Sequence, residues 1–321
     1  MKRQPIDDFS GPYCLGIDVS KWQGEIRWRE LAESPLTIDG VAAGPPHYCV
    51  VRSGDGKDVD TMAVRNLTGA ADAGLLVGAY HYLRGVHSGT MQAEIVLDAI
   101  RTAGVRCPIV AIDIEGAPPK PSDGRSRAPA GPAGGLWGRE ATGAWWTPDG
   151  SGITTSAMLA EAGAFLERIE ADGLRVILYS GQSWHWYVSQ TKQVPSWASR
   201  CPLWVPSYGS GPPLLPVGPS GEPAPWATWT IWQFAGSEDA EQVHVAGIDG
   251  RIDGNRFRGD LDALRAFWTT DEAGCGGGAV QAIRRAQAAR DLEIRAELVE
   301  RPDADLAAEY RVCADRIRKL G

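Results

Sequence analysis

The chain has 321 residues, 43% of them hydrophobic, enough to bury one large core or two moderate ones. Its net charge of −8, with Lys and Arg never more than two in a row, argues against a nucleic-acid-binding surface. No apolar stretch approaches the roughly 18 residues of a membrane span, and the basic start Met1-Lys2-Arg3 has no apolar run behind it, so neither a span nor a secretory signal is expected.

In chain order, the apolar run Leu15–Val19 predicts a first strand and Ile26–Ser34 an amphipathic helix. Strand-like and helix-like stretches then alternate: Tyr48–Arg52, Thr61–Ala73, Leu76–Tyr82, Thr90–Ala103, Ile109–Glu115, Ser156–Asp172 and Arg175–Ser180. Such alternation implies βαβ units and a parallel sheet. The last runs, Leu203–Val205, Thr230–Phe234 and a short one near Ile252, are joined by Pro/Gly/Trp-rich segments without helical period. A barrel with about five helices and a degenerate closing part fits this better than a doubly wound sheet.

Residues 116–152 form a connection far longer than compact domains usually tolerate, and are expected to be an insertion. The six cysteines, Cys14, Cys49, Cys107, Cys201, Cys275 and Cys313, lack metal-ligand spacing and read as buried free thiols. The histidines form no HExxH pair, and His81 reads as a packed ring, so no metal is expected. All 13 tryptophans precede residue 269. Trp22 and Trp204 are expected in the core, while Trp145, Trp146, Trp184, Trp186, Trp197, Trp226 and Trp229 read equally as sugar-stacking faces or as barrel cover.

Chemistry concentrates at the ends of the strands. Asp113 and Glu115 close the fourth run two residues apart, and alternation along a strand would point both to one side. Crowded carboxyls cannot both ionise freely, and a proton donor beside an anion is what glycosidic cleavage uses. The plainer alternative is a loop cap at Asp113 and a solvated Glu115. Asp18, Tyr80, Tyr82, Tyr179, Trp204, Trp232, Gln233, Asp253 and Asn255 lie in or at the ends of the other runs. A barrel enzyme gathers its site there because the βα loops converge at that rim.

Gly16-Ile17-Asp18-Val19-Ser20-Lys21-Trp22-Gln23-Gly24, Gly78-Ala79-Tyr80-His81-Tyr82, Ile112-Asp113-Ile114-Glu115, Leu203-Trp204-Val205, Ile231-Trp232-Gln233-Phe234 and Ile252-Asp253-Gly254-Asn255-Arg256-Phe257 together resemble glycoside hydrolase family 25, the Chalaropsis-type lysozymes common among phage endolysins. The resemblance spans roughly residues 12–269. One departure is Gly254, where the family usually has an aliphatic residue. The resemblance implies an irregular TIM-like (β/α)5(β)3 barrel that cuts the β-1,4 bond from N-acetylmuramic acid to N-acetylglucosamine in peptidoglycan, without a cofactor.

On that reading Glu115 is the general acid and Asp113 the stabilising or acetamido-orienting carboxylate, with retention of configuration. Asp18 and Asp253 support the pair. Tyr80, Tyr82, Tyr179, Trp204, Trp232, Gln233 and Asn255 bind substrate. With no signal expected, the protein would reside in a host cytoplasm before lysis or on a virion. The alternatives are a virion structural protein carrying a lysozyme module and a non-catalytic glycan-binding barrel. Residues 1–271 are read as the barrel, 272–278 as a Gly-rich linker, and 279–321 as a C-terminal helical hairpin. That hairpin is expected to serve oligomerisation or attachment to a partner such as a phage structural protein, the alternative being that it packs on the barrel as an ordinary extension.

Overall fold

The computed structural model describes residues 9–115, 144–145, 153–181, 183–208, 211–221, 225–236, 242–250 and 252–269. The proposed linker and helical hairpin, and most of the 116–152 insertion, lie outside these residues. Eight strands form the barrel: β1 (Tyr13–Val19), β2 (Tyr48–Asp55), β3 (Leu76–Tyr82), β4 (Ile109–Asp113), β5 (Arg175–Tyr179), β6 (Leu203–Pro206), β7 (Ile231–Ala235) and β8 (Asp253–Arg258). The first seven run parallel, β8 is antiparallel to both β7 and β1, and the pairing of β1 with β2 closes the ring.

Helices α1 (Trp28–Glu33), α2 (Ala63–Asp72), α3 (Gly89–Ala103), α4 (Thr155–Ala171) and α5 (Ser183–Thr191) follow the first five strands in turn, and α6 (Leu261–Phe267) follows β8. This is the expected (β/α)5(β)3 order. Local chemistry sets the helix ends. Ser88 and Thr154 accept from backbone N–H groups in the first turns of α3 and α4, and Gly104 takes the left-handed conformation that stops α3. A buried ion network ties these two helices together: Arg168 bonds Glu94 at 2.5 Å and Asp172 at 3.2 Å.

Several elements escape the sequence reading, α5, a hairpin and α6 among them. α5 is built from Trp, His, Tyr and Val, poor helix formers that give no clear stripe. The hairpin Leu36–Ile38/Val41–Gly44 turns at Asp39-Gly40, both with positive φ, the pairing that a tight hairpin turn demands. α6 is started by Asp260, whose side chain accepts from the Ala263 N–H.

Several tryptophans also fall differently. Trp22 is 76% exposed rather than core, because a Ser20/Gln23 capping box folds its turn tightly and turns the indole outward. Trp184, Trp226 and Trp229 are buried, and Trp184 meets Trp197 and Trp226 edge to face, so these rings cover the barrel. The side chains of Trp145, Trp146 and Trp186 are not among those described. Trp204 is in the core as expected, and Cys14, Cys49, Cys107 and Cys201 are buried free thiols.

The barrel interior is filled from below by Tyr48, fully buried and crossing to β1. A Cβ on Gly16 would lie 2.3 Å from the Tyr48 ring. Gly254 has the same explanation one strand over: its Cβ would meet Phe234 and Val243 at 2.9 Å, so those side chains occupy the volume that an aliphatic residue takes elsewhere. Gly16→Ala should therefore overpack the interior and lower stability by about 1–3 kcal/mol. Thermal unfolding, read as a drop of several degrees in Tm, measures it.

Candidate active site

Because β8 runs against its neighbours, its first residues lie at the same rim as the last residues of β1 to β7. The register pairs Asp18 with Asp253, and Asn255 with both Gly16 and Gln233. Asp113 ends β4, opposite Tyr82 on one side and Tyr179 on the other. Glu115 follows two residues later, just past the strand rather than within it. The Ile114 N–H still donates to the Tyr179 carbonyl, at 3.0 Å, which keeps this exit fixed.

A cavity of about 270 Å³ opens here, and Asp18, Asp113, Glu115 and Asp253 all line it. Tyr80, Tyr179, Trp204 and Gln233 complete much of its wall. Trp204 is held between Tyr80 and Tyr179 in edge-to-face contacts, with centroids 6.3 and 5.0 Å away. Asn255 sits behind the wall, fully buried.

Besides Asn255, two further residues assigned to substrate binding stand outside the cavity lining. Trp232 occupies the face of β7 opposite Gln233; it packs on Trp229 and Phe234 and donates to the Ser207 carbonyl at 2.6 Å. Tyr82 lies at the edge, its hydroxyl donating to the Glu115 carbonyl at 3.3 Å and its ring under the Arg84 guanidinium. His81 is a packed ring, bonded to Ser53 and to the Gly56 carbonyl; burial lowers it to about 4, so it is neutral. Among the described residues no cluster of three His, Cys, Asp or Glu side chains is arranged to hold a metal.

The sequence reading missed Tyr208 and Gly236. Tyr208 follows β6 and lines the cavity with its hydroxyl 2.7 Å from Gln233 Oε1. The Leu-Trp run ending β6 was a signal that a rim residue should follow it. Gly236 follows β7, and a Cβ there would lie 3.0 Å from Asp253 Oδ1, so a side chain would crowd that carboxylate.

Hydrogen bonds in the pit run in one direction. Tyr179 and Tyr208 both donate to Gln233 Oε1, at 2.8 and 2.7 Å. Gln233 Nε2 donates in turn to Asp18 Oδ2 at 3.0 Å. From the other side Trp204 Nε1 donates to Asn255 Oδ1 at 2.8 Å, and Asn255 Nδ2 donates to the same Asp18 oxygen at 2.6 Å. Asp18 also shares a hydrogen bond with Asp253. Asp113 differs: its Oδ1 is buried and accepts no hydrogen bond among the described residues.

Burial raises all four acids. Asp18 and Asp113 rise well above the ordinary carboxylate range, from desolvation first and then from their charged neighbours, Asp253 on Asp18 and Glu115 on Asp113. Asp253 is pushed up to about 6. Glu115 is exposed at the mouth, yet the protein packed around its carboxyl and the charge of Asp253 raise it to about 7. Arg84 pulls Asp113 and Glu115 the other way, though its charge is largely spent on Asp55, which it bonds at 2.5 and 2.9 Å.

A pit of this kind can deliver a proton to a leaving oxygen beside a carboxylate that faces developing positive charge. That is the chemistry of glycosidic cleavage, carried at the rim where parallel barrels place their sites, and it makes this a glycoside hydrolase. The model of glycosyl hydrolases family 25 matches residues 17–243, and the chain belongs to that family. Lysozyme M1 of Streptomyces globisporus is 26% identical over 264 residues, which cover 78% of this chain and 70% of the relative. The lysozyme of Streptomyces coelicolor superposes with a TM-score of 0.52 at 26% identity, over 81% of this chain and 97% of that one. A family 25 lysozyme from Aspergillus fumigatus, 22% identical, shares the fold with a TM-score of 0.54 over 80% and 100% of the two chains. The protein is a lysozyme of family 25 that hydrolyses peptidoglycan.

The raised acids make stability depend on pH in a definite direction. Glu115 at about 7 and Asp253 at about 6 both ionise more easily in the unfolded chain, near 4. Their contribution is complete below pH 4, declines as pH rises through 4 to 7, and is lost above. Glu115→Gln should therefore match the parent in Tm at pH 4 and exceed it at pH 8. Thermal scans across this range test it, and equal pH dependence in the two proteins would contradict the raised value.

Proposed function

We propose that the enzyme is a muramidase. It cuts the β-1,4 bond between N-acetylmuramic acid and N-acetylglucosamine with retention of configuration, using Glu115 as the general acid and Asp113 as the carboxylate that faces the reacting carbon. The observation that carries this reading is the contrast within the Asp-x-Glu pair. Glu115 stands at the open mouth with a value near 7, while Asp113 is buried with one oxygen unbonded among the described residues.

In the proposed reaction Glu115 gives its proton to the glycosidic oxygen as the bond from the anomeric carbon to that oxygen breaks. Positive charge develops on the ring, and it is the counter-charge that the acidic pit lacks. It favours the ionised form of Asp113. The free Asp113 Oδ1 suits the N–H of the substrate's 2-acetamido group, whose carbonyl oxygen then attacks the anomeric carbon and closes a cyclic intermediate. Direct attack by Asp113 is the competing form of the same step. Water, deprotonated by the Glu115 carboxylate, then restores the sugar with its original configuration. Asp18 and Asp253 hold the pair through their shared hydrogen bond, and Tyr80, Tyr179, Trp204 and Gln233 shape the wall, with Asn255 behind it.

The residue roles lead to a direct test. Glu115→Gln, nearly isosteric but unable to deliver a proton, should lower peptidoglycan hydrolysis by at least about 10³-fold while leaving folding and wall binding intact. Asp113→Asn should lose a comparable factor, and either variant retaining parental turnover would remove its residue from the mechanism. For the parent, kcat/KM should fall tenfold per pH unit above about 7, where Glu115 loses its proton.

The bond assignment has its own measurement. Digestion of insoluble peptidoglycan should release fragments with new muramic acid reducing ends; glucosamine ends would place the cut at the other linkage. The sequence reading of 279–321 as an oligomerisation or partner-attachment hairpin is carried forward on its apolar seam Leu306, Tyr310, Cys313, Ile317 and Leu320. A chain ending at Asp271 should stay folded and active while losing self-association or partner binding, as read by sedimentation.

A further inference from the structure

We propose that Tyr208 is a positioning residue for the hydrolysis, acting with Tyr179 through the amide of Gln233 on Asp18, and through Asp18 on Asp253. This rests on the reading above, in which Asp18 and Asp253 support the acid pair.

The geometry supports a lock on the orientation of one amide. The oxygen and nitrogen of a glutamine side chain have the same shape, so hydrogen bonds alone decide which faces where. Here Oε1 receives two phenol donors, from the end of β5 and from the segment after β6. With both in place, the NH2 group is committed to Asp18 Oδ2 at 3.0 Å. In the reversed amide, Oε1 would confront Asp18 Oδ2, two acceptors in contact, at an oxygen already held by Asn255 at 2.6 Å. Either phenol alone leaves the choice weaker; two settle it.

Tyr208 suits this role because only part of it is in the pit. The residue is 42% exposed, so its ring adds little to the core, while its hydroxyl reaches inward to Gln233. Gly236 eases the approach, since a Cβ there would crowd that hydroxyl at 3.2 Å and Asp253 Oδ1 at 3.0 Å. The same glycine thus clears both ends of the relay.

The consequence is protonic. Two N–H donors on Asp18 Oδ2 favour the anion of the Asp18/Asp253 pair against burial, and the charge on Asp253 in turn raises Glu115. The titratable groups facing this pair are Asp113 at the end of β4 and Glu115 beyond it, Tyr80 on β3, Tyr179 on β5, Tyr208 after β6, and Tyr48 and Cys49 on β2. The nearest cations are Arg84, paired with Asp55, and Arg52, paired with Asp60. No other described donor bonds the side-chain oxygen Oε1 of Gln233.

The test is a kinetic cycle on purified full-length protein with soluble peptidoglycan fragments. Tyr208→Phe, which removes one oxygen from a half-exposed ring, should lower kcat about tenfold with KM within about twofold. It should move the acidic limb of the kcat profile upward by about half a unit, because one stabilising bond to the pair's anion has been weakened. In a Gln233→Met background, where the relay is already cut, adding Tyr208→Phe should change neither kcat nor the limb. A Tyr208→Phe protein with raised KM and unchanged kcat would make the phenol a sugar contact and overturn the proposal. So would an unchanged protein, or a full loss that persists beside Gln233→Met. A parent that releases no muramic acid ends would instead sink the underlying muramidase reading, which keeps the two failures apart.

Discussion

The eighth strand runs against its two neighbours, and most of the site follows from that one reversal. A parallel β8 would carry Asp253 and Asn255 to the far end of the barrel, beside the N-terminal ends of the other strands. Running antiparallel, it pairs Asp253 with Asp18 and Asn255 with Gln233, residues more than 200 positions apart in one case and 22 in the other. The pairing also obliges the chain to accept glycine at 254, where Phe234 and Val243 already fill the space.

Gathering four acids in one pit works against stability, since burial penalises each ionised form. The fold offsets this with neutral donors rather than with cations. Two amides deliver N–H groups to one oxygen of Asp18, and each amide is fixed by aromatic donors behind it. Arg84, the cation that lowers both members of the Asp-x-Glu pair, is shared with Asp55. A free arginine would hold Glu115 ionised, and an ionised Glu115 has no proton to give. The rest of the barrel, from Tyr48 below to the tryptophan cover around α5, supplies the apolar burial against which this strained electrostatic arrangement is held.

The catalytic rim was legible in one dimension because strand ends are marked by abrupt changes of residue type. Ile112-Asp113-Ile114-Glu115 passes from a fully apolar run to charge within three residues, and Asp18, Tyr179 and Gln233 are marked similarly. Reading Asp113 and Glu115 as neighbours on one side reached the right cavity: the regular strand stops at Asp113, but Ile114 still bonds Tyr179 and is buried on the other side, so the alternation carries on to Glu115. Trp232 shows the limit of position alone. It adjoins Gln233, but strand alternation sends the two to opposite faces, and the side that faces the pit is set by the pairing of β7 with β6 and β8.

The sequence by itself determined the barrel, its parallel βα units and the acids at its rim, because periodicity and strand-end chemistry are local properties that each segment carries. What only the tertiary structure decided was partnership. Trp22 lies outside and Trp184 inside, although both are indoles beside polar residues, since a capping box turns one outward while α5 packs the other on Trp197 and Trp226. Tyr208 joins Tyr179 on one glutamine oxygen because β5, β6 and β7 are adjacent in the ring. Such contacts depend on closure of the sheet, and closure is a property of no single segment.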